Sequence, residues 1–259
     1  IYIYINMSGY DRAISIFSPD GHIFQVDYAN EAVNKGTLTL ALKSKNCIII
    51  ASEVRSSLKL QSSTISKIHK LTDKIGIVTS GLSADARVLI DKAKLECQSY
   101  KLSMDSEVSV EYISKYVADI QQKYTQSGGV RPFGVGCLIA GLTEDSDVGK
   151  IFKSDPSGVF QEWHCCTIGK NFKTVQSYLE KNIDLLKENK MDKYELLKFS
   201  VEALLEIVSN GSQNMEICLI NKENGLNLID KATIDDIIKK IEEERSVNEG
   251  NNNNEGEAI

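Results

Sequence analysis

The sequence predicts an α+β fold in one domain, and three observations carry that reading. Strand-like stretches come in groups and helical stretches follow in pairs, where a parallel sheet would alternate them one by one. The run Asn46–Ser52 is a continuous Ile/Ala-heavy stretch of the kind that a strand covered on both faces requires. Two long segments, beginning at Leu82 and Val110, each carry a single apolar stripe at three- and four-residue spacing. No internal repeat and no interior linker divides the chain.

In chain order, Ser18-Pro19-Asp20-Gly21 reads as a turn, because Pro presets φ at the second position and Asp and Gly suit the next two. Phe24 to Lys35 reads as a short helix stopped by Gly36. Thr37–Lys43 and Asn46–Ser52 are strands, followed by a strand pair, Lys67–Leu71 and Lys74–Ser80, around Thr72-Asp73. Leu82, Ala86, Leu89, Ala93, Cys97 and Tyr100 form the stripe of the first long helix. Val110, Ile113, Val117, Ile120 and Tyr124 form that of the second. Asp105-Ser106 between them predicts antiparallel packing.

Strands return at Phe133–Gly141, Lys150–Ser154 and Val159–Ile168, and helices at Asn171–Lys187 and Asp192–Ser209. Leu197, Val201, Leu204 and Val208 mark the buried face of the latter. Asn214–Asn221 is a strand, with Met215, Ile217 and Leu219 on one face. A last helix, capped by Thr233 with Asp236 at the capping-box position, carries Ile234, Ile237, Ile238 and Ile241. From about Val247 the Asn/Glu composition predicts a disordered tail. The expected organisation is therefore residues 1–7 as leader or tail, a domain over 8–246, and an acidic extension over 247–259.

At 259 residues, with 42% hydrophobic and 25% charged residues, the chain can bury a sizeable core. Net charge is -6, and the excess is local: Glu242 to Ile259 contains six Glu and one Arg. The body is close to neutral, which argues against a nucleic-acid or anionic-membrane partner. No apolar run is long enough to span a bilayer. The six cysteines lie mostly in apolar stretches with no Cys-x-x-Cys, as expected of reduced buried thiols in an intracellular protein. Residues 1–6 read Ile-Tyr-Ile-Tyr-Ile-Asn before Met7. One reading is translated leader from an AT-rich gene with Met7 as the true start; the other is a genuine hydrophobic tail, which would be an aggregation hazard.

Gly36-Thr37 ahead of a strand raises one catalytic possibility. A threonine hydroxyl can attack a peptide carbonyl when the free α-amine of the same residue takes its proton. Thr37 lies inside the chain, and a peptide nitrogen is not basic, so an unprocessed Thr37 cannot use that mechanism. The bland reading is that Thr37 begins a strand. His164-Cys165-Cys166 offers metal-friendly side chains, but neighbours on a strand point to opposite faces and no fourth ligand is evident. His69, beside Lys67 and Lys70, is expected to be exposed, and Trp163 to pack or to lie at a subunit contact. Gly128-Gly129 and Gly134-x-Gly136 enter a strand with no helix directly following, which does not fit a phosphate loop. No cofactor and no metal is called for.

The run Tyr10 to Ala29 (YDRAISIFSPDGHIFQVDYA) resembles the N-terminal signature of α-type subunits of the 20S proteasome. Thr79–Arg87 (TSGLSADAR), Tyr124–Val135 (YTQSGGVRPFGV) and Asp155-Pro156-Ser157-Gly158 followed by Ile168-Gly169 resemble later motifs of that family, in family order, over roughly residues 8–220. Within the family, Gly21-His22-Ile23-Phe24 and Glu96-Cys97-Gln98-Ser99 are most similar to the branch at the fourth position of the α ring.

The resemblance implies a four-layer αββα sandwich of the N-terminal-nucleophile hydrolase type, in a non-catalytic subunit without catalytic residues. Catalytic β-type subunits are cut at the position matching Gly36-Thr37 and place Asp and Lys near the threonine. Here the matching positions are Glu53 and Lys67, a partial echo. Implied partners are other α-type subunits in a seven-membered ring, the β-type catalytic ring, and the C-terminal tails of regulatory ATPases or other activators. Residence in cytoplasm and nucleus is likewise implied. The gate cluster of the family carries over to Tyr10, Asp11, Pro19 and Tyr28. Its regulator-docking pocket, which in the family lies between adjacent subunits, carries over to Lys67, Gly81 and Leu82, although from the residues alone Lys67 is a solvated strand-end lysine. Two rival readings stand beside this one: a threonine hydrolase matured before Thr37, and an α-like scaffold outside proteasomes.

Overall fold

The computed structural model describes residues 16–44, 47–54, 66–142, 148–187, 191–208 and 214–255, the side chains of 185, 187 and 246–255 excepted. Tyr10, Asp11 and the Ile/Tyr run of residues 1–6 lie outside the described residues. Two five-stranded antiparallel sheets form the centre. The first runs β10-β9-β2-β1-β8 and the second β3-β4-β5-β6-β7. The first sheet is built from β1 (Thr39–Lys43), β2 (Cys47–Glu53), β8 (Cys165–Ile168), β9 (Met215–Asn221) and β10 (Gly225–Leu228). The second uses β3 (Ile68–Lys70), β4 (Ile75–Gly81), β5 (Val135–Gly141), β6 (Lys150–Ser154) and β7 (Phe160–Trp163).

The continuous apolar runs are explained by burial on both faces. In β2, Ile48 and Ile50 enter the core between the sheets, and Cys47, Ile49 and Ala51 enter the core beneath helices. In β5, Leu138 and Ala140 point between the sheets while Cys137 and Ile139 point outward. The outer core of the second sheet is closed by α2 (Ser83–Met104) and α3 (Val110–Gln126), whose stripe residues Leu89, Ala93, Cys97, Ile113 and Val117 all pack there. The first sheet is closed by α4 (Phe172–Lys181), α5 (Ile183–Lys187), α6 (Lys193–Leu205) and α7 (Lys231–Glu255). Helices on both outer faces of two stacked sheets make the αββα sandwich. Each fully buried Leu or Ile contributes on the order of 1.5–3 kcal/mol, so most of the stability resides in these three contiguous cores.

Several sequence expectations are corrected. Val159–Ile168 is not one strand: β7 pairs with β6 in the second sheet, β8 pairs with β1 in the first, and the chain steps between sheets at His164. The helix expected over Asn171–Lys187 is broken at Asn182, whose amide bonds Leu179 O at 3.1 Å. Gly36 ends α1 (Phe24–Asn34) without a left-handed φ; close approach, described below, is what it provides. β10 is absent from the sequence reading, although Asn224-Gly225 is a hairpin signal and Gly225 has φ 64°. The last helix starts at Lys231, ahead of Thr233, and buries all four predicted isoleucines. It is drawn through Glu255. Glu242 to Arg245 are good helix formers, whereas Gly250 and the asparagines around it are poor ones, and nothing in the sequence explains the last turns. No helix among the described residues is long and apolar enough to cross a membrane.

Candidate functional site

Thr37 sits where α1 hands over to β1, in a junction crowded with backbone. Gly36 N donates to Val33 O at 2.9 Å, and Lys170 N donates to Gly36 O at 3.0 Å. Ser80 Oγ stands 2.8 Å from the carbonyl oxygen of Thr37 and 3.2 Å from that of Val33. A Cβ placed on Gly36 would lie 2.3 Å from the amide nitrogen of Gly81, and one on Gly169 would lie 2.2 Å from Thr37 O. The Thr37 hydroxyl is buried and has no hydrogen-bond partner among the described residues. Glu53, the carboxylate of the partial triad, accepts from Leu38 N at 3.2 Å. Its described bond is therefore to the backbone next to Thr37. Lys67 lines a surface pocket whose walls do not include Thr37.

Upstream of the junction, the predicted turn is present. Gly21 N donates to Ser18 O at 2.9 Å, Ser18 N donates to His22 O at 2.8 Å, and Gly21 adopts φ 81°. Ser18 is buried, and its hydroxyl accepts from His22 N at 3.0 Å, which pins the turn to the helix that follows. Pro19 and Tyr28 are both on the surface, Tyr28 with 52% exposure. Helix α1 then packs over β4 and β5 with Val26, Ala29 and Val33 buried.

The pocket at Lys67 has a volume of about 410 Å3 and lies between the β3 edge and the first turns of α2. Lys67 and Gly81 share it with His69, Arg87, Asp91 and Lys94. Lys67 N donates to Glu216 Oε2 at 2.7 Å, and Ser66 Oγ bonds the other oxygen of that carboxylate. A β9 side chain of the first sheet thereby fixes the approach to β3 in the second. His69 is half-buried, not exposed as expected. Burial, then the charges of Lys94 and Lys67, push its imidazole below the ordinary value against an opposing pull from Glu216 and Asp91. Leu82 does not line this pocket: its side chain lies over Gly134, 2.9 Å from where a Cβ would stand. Trp163 packs at the margin of the core between the sheets. The Cys166 thiol is pushed up to about 11 by burial. No group of three or more potential metal ligands occurs among the described residues.

Comparison with known proteins decides the lineage. The pattern of the family described as proteasome subunit matches residues 33–220, and the N-terminal signature of the A-type proteasome subunits matches residues 10–32. The alpha type-4 proteasome subunit of Saccharomyces cerevisiae is 48% identical over 241 residues, covering 92% of this chain and 94% of that protein. The alpha type-7 proteasome subunit of Solanum lycopersicum is 44% identical, covering 94% and 92%. The Dictyostelium discoideum protein of the latter name is 46% identical, covering 92% and 93%. The chain belongs to the proteasome α-subunit family.

As a proteasome α-type subunit it is a non-catalytic member of a threonine protease complex, and the junction gives the physical reason. The Thr37 nitrogen is an amide, α1 occupies the space before it, and the hydroxyl faces protein. Sequence reading did not place Arg87, Asp91 and Lys94 in the Lys67 pocket, nor Glu216 beside it, because elements far apart in the chain bring them together. Replacing Thr37 by Val should leave peptide hydrolysis by the assembled particle unchanged. It should also raise subunit stability by about 1 kcal/mol, because an unpaired buried hydroxyl is removed at constant shape. Urea titration of the two forms checks the sign.

Proposed function

We propose that this chain is a gate and docking subunit of a seven-membered α ring that caps the β-type catalytic ring of the 20S core. In this reading it controls substrate admission in ubiquitin-dependent and ubiquitin-independent degradation, in cytoplasm and nucleus. The observation that carries the proposal is the α signature over residues 10–32, retained ahead of Thr37, with its described part folded as the Ser18–Gly21 turn and the α1 cover. A pinned turn with Pro19 at its surface fixes where the preceding segment leaves the body. Tyr10 and Asp11 would then meet Tyr28 and Pro19 of a neighbouring copy of the fold. The division into a domain over 8–246 with extensions at each end belongs to the same reading. Deleting residues 1–14 is expected to raise hydrolysis of small peptides by the assembled particle in the absence of any activator. An unchanged rate would remove this segment from the gate.

Docking rests on Lys67 and Gly81. A terminal carboxylate would find the Lys67 ammonium there, and the glycine lets a backbone approach closely. Lys67→Ala is expected to leave assembled particles intact and to weaken activator-stimulated peptide hydrolysis. The loss should be several-fold, as befits a charge-assisted contact partly screened by solvent. Full stimulation in the variant would exclude Lys67 from docking.

A further inference from the structure

The Lys67 pocket holds three cationic side chains, Lys67, Arg87 and Lys94, more than a single carboxylate needs, and together with His69 they are arranged along a line. Lys67 and His69 are two residues apart on one strand edge, so they face the same side. Arg87 and Lys94 are seven residues apart, two turns of α2, and face the same side of that helix. All four line the pocket. The two rows run in the same direction. The β3–β4 ladder pairs Ile68 with Val78 and His69 with Ile77, which puts Lys67 at the end nearer Gly81 and the start of α2. His69 lies farther along, where Lys94 acts on it more strongly than Lys67 does. One end of the pocket is therefore Lys67 with Arg87 and the other is His69 with Lys94. Among the described residues the side chains of Lys67, Arg87 and Lys94 form no ion pair. Two carboxylates lie close by: Glu216, held by Ser66 and by the Lys67 amide, and Asp91, on α2 between Arg87 and Lys94.

We propose that this pocket reads a second acidic group on the docked tail, about three residues before its terminal carboxylate, through Lys94. The inference rests on the docking reading above and specifies its partner: a C-terminal peptide segment with two negative charges set apart. Two turns of helix span about 10 Å, the length of about three extended residues. With the terminal carboxylate at Lys67 and Arg87, a side chain three residues upstream reaches Lys94. Asp91 repels a carboxylate placed midway, so the spacing is selected as well as the charge.

The test uses assembled particles and synthetic C-terminal peptides carrying a photo-reactive group at their N-terminus, with labelling of this chain read by mass spectrometry. One peptide has Glu three places before a free C-terminus, one has Gln there, one has Lys there, and one is the Glu peptide with an amidated end. The Glu peptide is expected to label this chain at about fivefold lower concentration than the Gln peptide. That preference should disappear in Lys94→Ala particles and at high salt. Lys94→Glu particles should prefer the Lys peptide. Equal labelling by the Glu and Gln peptides, or a Glu preference that survives Lys94→Ala, overturns the inference while docking stands. Equal labelling by the amidated and free-acid peptides overturns docking itself.

Discussion

Gly169→Ala is expected to destabilise the subunit by at least about 3 kcal/mol and to deplete it from assembled particles. Two independent costs add at this residue. Its φ of 100° lies where L side chains are strained, and the added methyl would stand 2.2 Å from Thr37 O and 2.8 Å from Ser80 Oγ. Neither neighbour can yield cheaply. Thr37 O is backbone at the root of β1 and is approached by Ser80 Oγ at 2.8 Å, and Lys170 N is bonded to Gly36 O. Relief would require moving the start of β1 away from β8, its partner at the sheet edge. Folding stabilities of about 5–15 kcal/mol leave little room for such a loss. The readout is the fraction of tagged variant recovered in particles relative to wild type, with Gly128→Ala as the control. Gly128 has open space around its Cα, so that variant should assemble normally.

Asp85→Ala is expected to cost about 2 kcal/mol. Asp85 lies in the first turn of α2 and takes both guanidinium nitrogens of Arg131, Nη1 at 2.5 Å and Nη2 at 2.7 Å, together with Gly134 N at 3.2 Å. Its side chain is 12% exposed and that of Arg131 is 60% exposed, so the loss falls below the cost of breaking a fully buried pair. The larger share comes from the Gly134 amide left without its acceptor. Asp85→Asn keeps an acceptor for that amide and should lose less. The Arg131 hydrogen bond is the main cause holding the Asp85 carboxyl below its ordinary value, with Gly134 adding to it against burial. A depressed carboxylate contributes stability above its unfolded value, and that contribution fades as pH falls through the folded one. The wild-type advantage over Asp85→Ala should therefore be full at neutral pH and shrink below about pH 4. Paired urea titrations at pH 7 and pH 3 would show it.

Much of this architecture was legible because it depends on local period. The stripes of α2 and α3, the bounds of α1 and the doubly covered β2 run follow from spacing alone. What escaped is non-local. Nothing in Phe160–Ile168 marks His164 as the point where the chain changes sheets, since both halves read as strand and sheet membership depends on partners far away. The candidate site divided in the same manner. Lys67 and Gly81 came through the family motif, and structure joined them in one pocket. Leu82 lies over Gly134, outside the groove that this chain forms by itself. His69 was misjudged as exposed because its burial depends on α2 and on β9, neither of which adjoins it in sequence.

The pairing of β1 with β8 and of β2 with β9 sets an order of events during synthesis. The hairpin Thr39–Glu53 leaves the ribosome early, with Ile48, Ile49 and Ile50 at its centre, yet both of its flanking strands lie beyond residue 164. At about 5–20 residues per second, the wait between β2 and β9 lasts on the order of ten to thirty seconds. Until β8 is made the β1 edge has no partner, and the β2 edge has none for the whole of that time, the state in which strands join the wrong neighbour. The nascent chain is therefore most in need of shelter after about 50 residues, long before there is a surface on which another proteasome subunit could recognise it.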